Sequence, residues 1–171
     1  HWQTTRFDID LSRPRVMGIV NVTPDSFSDG GLCLDPRAAR DRCEVLVKEG
    51  ADILDLGAES SRPGAPMLSE QEEWARLKPV LEAALTLGVP VSVDTWKAAV
   101  MRRALDLGAD ILNDIKALRD EGAQDLVVQH GRCGVCLMHM RGEPGTMQQH
   151  TEYADVVSDV SVSYTHLRAH E

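Results

Sequence analysis

Asn21, Asp55, Asp94, Asn113 and His139 each stand at or just past the last apolar residue of a short run: Val16–Val20, Ile53–Leu56, Val91–Val93, Ile111–Leu112 and Val135–Met138. Two carboxylates and two amides brought together would offer acceptors beside groups that both donate and accept. Such a set suits the edge of a polar heterocycle carrying adjacent N–H, NH2 and C=O groups. Asp and Asn also end strands simply as turn formers and caps. Five strand ends in succession argue against that simpler reading. Arg62 is the one cation of the stretch Glu59–Pro66 and has the hydroxyls of Ser60 and Ser61 beside it. A guanidinium binds carboxylate or phosphate bidentately, so this stretch reads as an anion clamp, although a solvated loop arginine would look the same in isolation.

The elements that must position these groups follow from periodicity. The five runs are strand length and apolar on both faces, the signature of parallel strands covered on both sides. Between them lie helical patterns. Cys43, Leu46, Val47 and Gly50 follow Asp35–Pro36, an N-cap with proline at the first helical position. Ser69–Glu72 is a capping-box sequence that opens a helix with Leu77, Leu81, Ala84 and Leu85 on one face. Pro79 falls inside that pattern and predicts a kink or a late start. A third helix carries Val100, Met101, Ala104 and Leu105, and a fourth runs from about Ala123 to His130. Gly50, Gly88, Gly108 and Gly131 punctuate the helix ends.

The order is β-α-β-α throughout, and Gly50–Leu56 is echoed by Gly108–Asp114. Repeated βα units give a parallel sheet, either closed as a barrel or doubly wound. Polar residues at the ends of many strands favour the barrel, because barrel enzymes gather their chemistry at the C-terminal strand ends. A doubly wound sheet would concentrate binding at one switch point after a glycine-rich phosphate loop, and no such motif occurs. The expected fold is an α/β (β/α)8 TIM barrel represented by about five of its βα units.

The 171 residues carry a net charge of -9, with 43% hydrophobic and 26% charged residues. That composition is ordinary for one globular domain, and the charge disfavours nucleic acid and anionic membranes as partners. No stretch approaches the ~20 apolar residues of a membrane span, and the first residues have no signal-peptide core, so a cytoplasmic location is expected. Cys133 and Cys136 have redox-motif spacing but lead into an apolar run rather than a helix start, and are read as two reduced thiols at a strand entrance.

Longer matches make the reading specific. Met17–Gly31, containing Asn-Val-Thr-Pro-Asp-Ser-Phe-Ser-Asp-Gly-Gly, resembles the first signature of dihydropteroate synthases, and Asp55–Gly64 resembles the second. Val93-Asp-Thr95, Asn113-Asp-Ile115 and Cys136–Met140 fall in that family's order and spacing. The resemblance implies condensation of 6-hydroxymethyl-7,8-dihydropterin diphosphate with p-aminobenzoate to give 7,8-dihydropteroate and pyrophosphate, with Mg2+ present. It also implies a sulfonamide target and a homodimeric full-length parent. By position, Asn21 would hold the metal and diphosphate, and Asp94, Asn113 and Met138 would line the pterin slot. Arg62 with Ser61 would hold the diphosphate and the second substrate, while Phe27, Asp29 and Pro63 would help close the loops over the aminobenzoate; Asn21, Asp29 and Arg62 would be the catalytic set. Ser61 replaces the family's usual threonine, Trp96 a small or tyrosine-like residue, and Lys116 an arginine.

The resemblance covers about residues 7 to 160. The domain expected is therefore 1–161, the N-terminal part of a pterin-binding barrel. Residues 162–171 break the helical pattern begun near Tyr153 and look like translated sequencing adapter, not native sequence. A polypeptide with five of eight strands is expected to be inactive alone, with an unpaired sheet edge and an uncovered apolar face. A pterin-binding methyltransferase domain and a non-catalytic pterin-binding fragment are the competing readings.

Overall fold

The computed structural model describes residues 1–22, 36–59 and 67–168. The chain opens with a two-stranded antiparallel hairpin, β1 (Trp2–Gln3) and β2 (Asp8–Ile9). It continues as β3 (Met17–Asn21), α1 (Pro36–Lys48), β4 (Ile53–Gly57), α2 (Glu70–Ala84), β5 (Val91–Asp94), α3 (Ala98–Leu107), β6 (Ile111–Asp114), α4 (Ala123–His130) and β7 (Gly134–Leu137). A short 3-10 turn at Met147–Gln149 and α5 (Val156–Arg168) follow. Strands β3 to β7 form one parallel sheet in sequence order, without a switch point. This is the consecutive order of a TIM barrel, seen over five of its strands. Among the described residues the sheet does not close, so β3 and β7 are its edges.

Because side chains alternate along a strand, the sheet has two different faces. On the outer face Val20, Val22, Leu54, Leu56, Val91 and Val93 pack with Cys43, Leu77, Leu81, Val100 and Ala104 of the helices in one buried cluster. A second cluster joins Leu112 to Met101, Leu105 and Leu126. On the inner face Ile53 and Ile111 meet Ile9, Trp2, Phe7 and Met17, so the hairpin plugs the N-terminal end of the sheet. Gly134 permits that plug, since a Cβ there would lie 3.0 Å from both Trp2 Nε1 and Ile111 Cγ1. Arg6 fastens it: its Nη2 lies 2.6 Å from the buried Asp110 carboxylate, which also accepts from the Val91 amide at 2.9 Å. Higher on the inner face, none of the described residues covers Ile19, which is 61% exposed. This is the bare apolar face expected for an open arc of strands.

The helix boundaries agree with the caps read from sequence, with two exceptions. The Ser69 hydroxyl accepts from the Glu72 amide while the Glu72 carboxylate accepts from the Ser69 amide, so α2 starts at Glu70. Pro79 therefore marks no late start; it lies well inside α2, where four buried residues, Leu77, Val80, Leu81 and Ala84, offset the backbone hydrogen bond it forgoes. The second exception is α5, which runs through position 162 instead of breaking there. Residues 156–168 contain neither glycine nor proline to stop it. Asp35, the expected cap of α1, lies outside the described residues, whereas Gly50, Gly88, Gly108 and Gly131 all have positive φ. No helix among the described residues is long and apolar enough to cross a membrane.

Replacing Ser69 with alanine removes one half of the capping box, and a loss of about 1 kcal/mol is expected. Urea unfolding monitored by circular dichroism checks this; an unchanged midpoint would mean that α2 is held by packing alone.

Candidate functional site

Parallel pairing aligns the C-terminal ends of the strands. Asn21 pairs with Gly57, Gly57 with Asp94, Asp94 with Asn113, and Asn113 with Cys136. These residues form one rung across the sheet, on the same inner face as Asp55 two residues below Gly57. Asp55 therefore lies mid-strand, not at the strand end expected from sequence. Gly57 occupies the end of that strand beside Asp94, whose Oδ2 would be in ordinary van der Waals contact, at 3.4 Å, with a Cβ there.

The rung is polar and partly unsatisfied. Asn113 Nδ2 donates to Asp55 Oδ2 at 3.1 Å. Asp55 is only 4% exposed, yet among the described residues its other oxygen, Oδ1, has no hydrogen-bond partner, and neither has the buried hydroxyl of Ser92, its register neighbour. Buried polar atoms are nearly always paired, so an orphaned carboxylate oxygen marks a place for a donor. Asp94 sits among acids: burial first, then the carboxylates of Asp55, Glu73, Asp114 and Glu59, pushes its carboxyl up to about 7. It can thus accept or donate near neutral pH. Cys136 closes the rung, its thiol raised by burial and by Asp55 and Asp94. Neither Cys133 nor Cys136 is in a disulfide, and burial raises Cys133 as well, which agrees with two reduced thiols.

The turns behind the rung are built to hold it. Asp114 accepts from the Lys116 and Leu118 amides, both at 2.7 Å, bracing a turn in which Ala117 and Leu118 take left-handed φ of 54° and 56°. Lys116 Nζ lies 3.5 Å from the centre of the Trp96 ring, a cation–π contact that joins the β5–α3 and β6–α4 turns at the rim. Lys97 Nζ donates to Glu59 and, at 2.6 Å, to Glu73. Burial draws the Lys97 ammonium down, but the hydrogen bonds to Glu59 and Glu73 outweigh it and leave it raised.

Asp94 and Asn113 are therefore brought together as the sequence reading requires, and Met138 follows one residue beyond β7, half-buried, with its amide donating to the Asp114 carbonyl at 3.1 Å. Asn21 stands at the exposed end of β3, where its carboxamide has no hydrogen-bond partner among the described residues. Phe27, Asp29, Ser61, Arg62 and Pro63 lie outside the described residues. His139 does not join the rung; its Nε2 is 3.1 Å from the Tyr153 hydroxyl. Sequence reasoning passed over Lys97, Glu59 and Glu73. A signal existed for Glu73, which occupies the stripe continued by Leu77 and Leu81, where a solvated glutamate does not belong.

No group of three His, Cys, Asp or Glu side chains suited to a metal occurs among the described residues. The carboxamide oxygen of Asn21, at the exposed end of β3, is a hard oxygen donor of the type that Mg2+ accepts.

An arc of a parallel α/β barrel with carboxylates and an amide across its C-terminal mouth defines a class, the barrel proteins that carry their polar groups at the strand ends. The sequence profile of pterin binding enzymes matches residues 17–170, and the chain belongs to that family. A dihydropteroate synthase of Neisseria meningitidis serogroup B is 52% identical over 162 residues, covering 94% of this chain and 57% of that protein. The crystal structure of Yersinia pestis dihydropteroate synthase with a sulfonamide drug complex superposes with a TM-score of 0.87 at 45% identity, covering 98% of this chain and 61% of that one. Burkholderia cenocepacia dihydropteroate synthase complexed with 7,8-dihydropteroate gives a TM-score of 0.83 at 46% identity, covering 98% and 58%. The chain thus spans somewhat over half the length of the relatives it matches.

The raised Asp94 carboxyl makes stability pH-dependent with a definite sign. Its folded value of about 7 lies above the unfolded 3.8, so the folded state holds the proton more tightly. Its contribution is full below pH ~3.8 and is lost as pH rises to about 7, a decrease on the order of 4 kcal/mol. Urea unfolding of the chain and of Asp94→Asn at pH 4 to 8 measures it; the difference between the two curves should change across that window, and parallel curves would contradict the assignment.

Proposed function

We propose that this chain supplies the pterin slot of a dihydropteroate synthase, and that the complete reaction belongs to a protein of the relatives' full length. The observation that carries the reading is the rung formed by Asp94 and Asn113 above Asp55, with the buried Asp55 Oδ1 left without a partner among the described residues. A dihydropterin ring presents an amino group, ring N–H groups and a carbonyl along adjacent edges. Asp55 Oδ1 and an ionised Asp94 would accept from the N–H and amino donors, and the Asn113 amide would complete the edge. The relatives at 45% and 52% identity that carry the synthase name favour this over a methyltransferase domain of the same fold.

In the proposed reaction the p-aminobenzoate nitrogen bonds to the methylene carbon of the dihydropterin, the bond from that carbon to the diphosphate oxygen breaks, pyrophosphate departs, and the amine loses a proton. The slot's contribution is orientation: a ring held along one edge points its methylene in a fixed direction toward the amine. Mg2+ held at Asn21 would supply neutralisation of the diphosphate's charge. Arg62 with Ser61 would bind the anionic groups, and Phe27, Asp29 and Pro63 would shield the methylene from water. Alone, the 171 residues would bind a pterin without turning it over.

Binding of 7,8-dihydropterin, followed by its fluorescence, tests the slot. Asp55→Asn, Asp94→Asn and Asn113→Ala should each weaken it roughly 10- to 100-fold, as expected when a hydrogen bond to a charged group is lost. Affinities unchanged in all three would remove the basis for the reading.

A further inference from the structure

Trp96 and Lys116 meet at the rim in a way that neither of their turns requires by itself. Lys116 is half-buried, and its ammonium forms no ion pair among the described residues; it lies instead over the indole, 3.5 Å from the ring centre. An ammonium is strongly hydrated and its stem flexible, so seating it on a ring needs the ring to be held in place. A second ammonium does so: Lys97 Nζ lies 4.7 Å from the same ring and is itself anchored on Glu73. The turn that carries Lys116 is strained, because Ala117 and Leu118, with φ of 54° and 56°, take a left-handed backbone without being glycine. Such residues persist only where their surroundings over-determine them, and they gather at ligand clamps. Asp114 braces this turn from within, through the Lys116 and Leu118 amides, and the indole braces it from the neighbouring turn.

What the contact holds follows from register. Asp94 and Asn113 are partners across β5 and β6; Trp96 comes two residues after the first and Lys116 three after the second. Between the rung and the contact lies the hydrogen bond from the Thr95 amide to the Asn113 carbonyl, at 3.1 Å. Beyond it the ladder of β5 and β6 ends, and side chains must keep the two segments from splaying. The Asp120 carboxylate, accepting from the Ala98 amide at 2.8 Å, ties them at the start of α3, and the Trp96–Lys116 contact ties them nearer the rung. We propose that Trp96 and Lys116 are a positioning pair for the pterin slot: the ammonium seated on the indole fixes the spacing of the β5 and β6 ends, and with it the separation of the Asp94 carboxyl and the Asn113 amide that one ring edge must bridge. The inference rests on the proposed slot for the identity of the ligand, and on the ring–ammonium contact for the positioning.

Titration of 7,8-dihydropterin into the 171-residue chain separates positioning from mere support of the fold. Lys116→Met, which keeps the stem and removes the charge, and Trp96→Leu should each weaken binding about three- to tenfold, and the double variant should be no weaker than the weaker single one. Lys116→Met serves alone if Trp96→Leu does not fold. Lys116→Arg, whose guanidinium can also lie on the ring, should stay within about twofold of the unmodified chain. The decisive comparison uses the Asn113→Ala background, where the Asp94–Asn113 separation no longer matters: there Lys116→Met should change affinity less than about twofold. An undiminished effect in that background, no effect in the unmodified one, or an arginine as damaging as methionine overturns the proposal. If the unmodified chain binds no dihydropterin, the slot reading fails; in that case, or if Asn113→Ala binds too weakly to compare, amide exchange judges the pair by itself. Lys116→Met should then speed exchange at Thr95 and spare Leu54, whose amide donates to the Pro90 carbonyl. Equal acceleration at both, or at neither, rejects the positioning.

Discussion

Parallel register is the constraint from which the rest of this structure follows. Once Leu54 pairs with Val91 and Ser92 with Ile111, side-chain alternation assigns every residue of the sheet to the helices or to the barrel axis. The outward set is almost wholly aliphatic and buries against α1 to α4, which stabilises the sheet independently of anything at its centre. The inward set can then change character along the strands: apolar at the base, where Ile53 and Ile111 meet the hairpin, and polar at the top, where Asp94 and Asn113 stand side by side. A slip of one residue would bury the carboxylates under the helices and turn the aliphatic residues inward. The slot is thus a consequence of the same alternation that builds the core.

Concentrating acids at one end of the sheet carries an electrostatic cost, and the structure shows how it is distributed. Asp114 spends its oxygens on two backbone amides of the following turn. Asp55 takes one hydrogen bond from Asn113, and its other oxygen has no partner among the described residues. Asp94, with burial and four carboxylates against it, responds by holding its proton to about pH 7. Glu59 and Glu73 share the Lys97 ammonium. On the proposed reading, a site kept partly unsatisfied in this way would suit a ligand bearing several N–H donors, because binding would relieve what folding left unpaired.

Much of this was legible in the sequence because it depends on period and punctuation. The five strands, the alternation with helices and the barrel class follow from apolar runs of strand length and from glycines just past the helix ends. Asp94 and Asn113 were legible because they close their runs. Asp55 was placed one layer too high, since nothing local shows that Gly57 still belongs to β4. The late start that Pro79 suggested does not occur because proline's penalty is local, whereas α2 is held by its buried stripe and capping box. The continuation of α5 was missed because a polar, poorly patterned stretch gives no amphipathic signal even when nothing in it breaks a helix. The Lys97 cluster was hidden for another reason: its three members are 38 and 24 positions apart, and only the fold brings them together.

The central claim is that the Asp55–Asp94–Asn113 face holds the hydrogen-bonding edge of a pterin. A crystal structure of the chain grown with 7,8-dihydropterin addresses it most directly. The account predicts the ring's amino and N–H groups within hydrogen-bonding distance of Asp55 Oδ1 and Asp94, with Asn113 against the same edge. A ring bound elsewhere, with Asp55 Oδ1 satisfied by some other group of the protein, would contradict it.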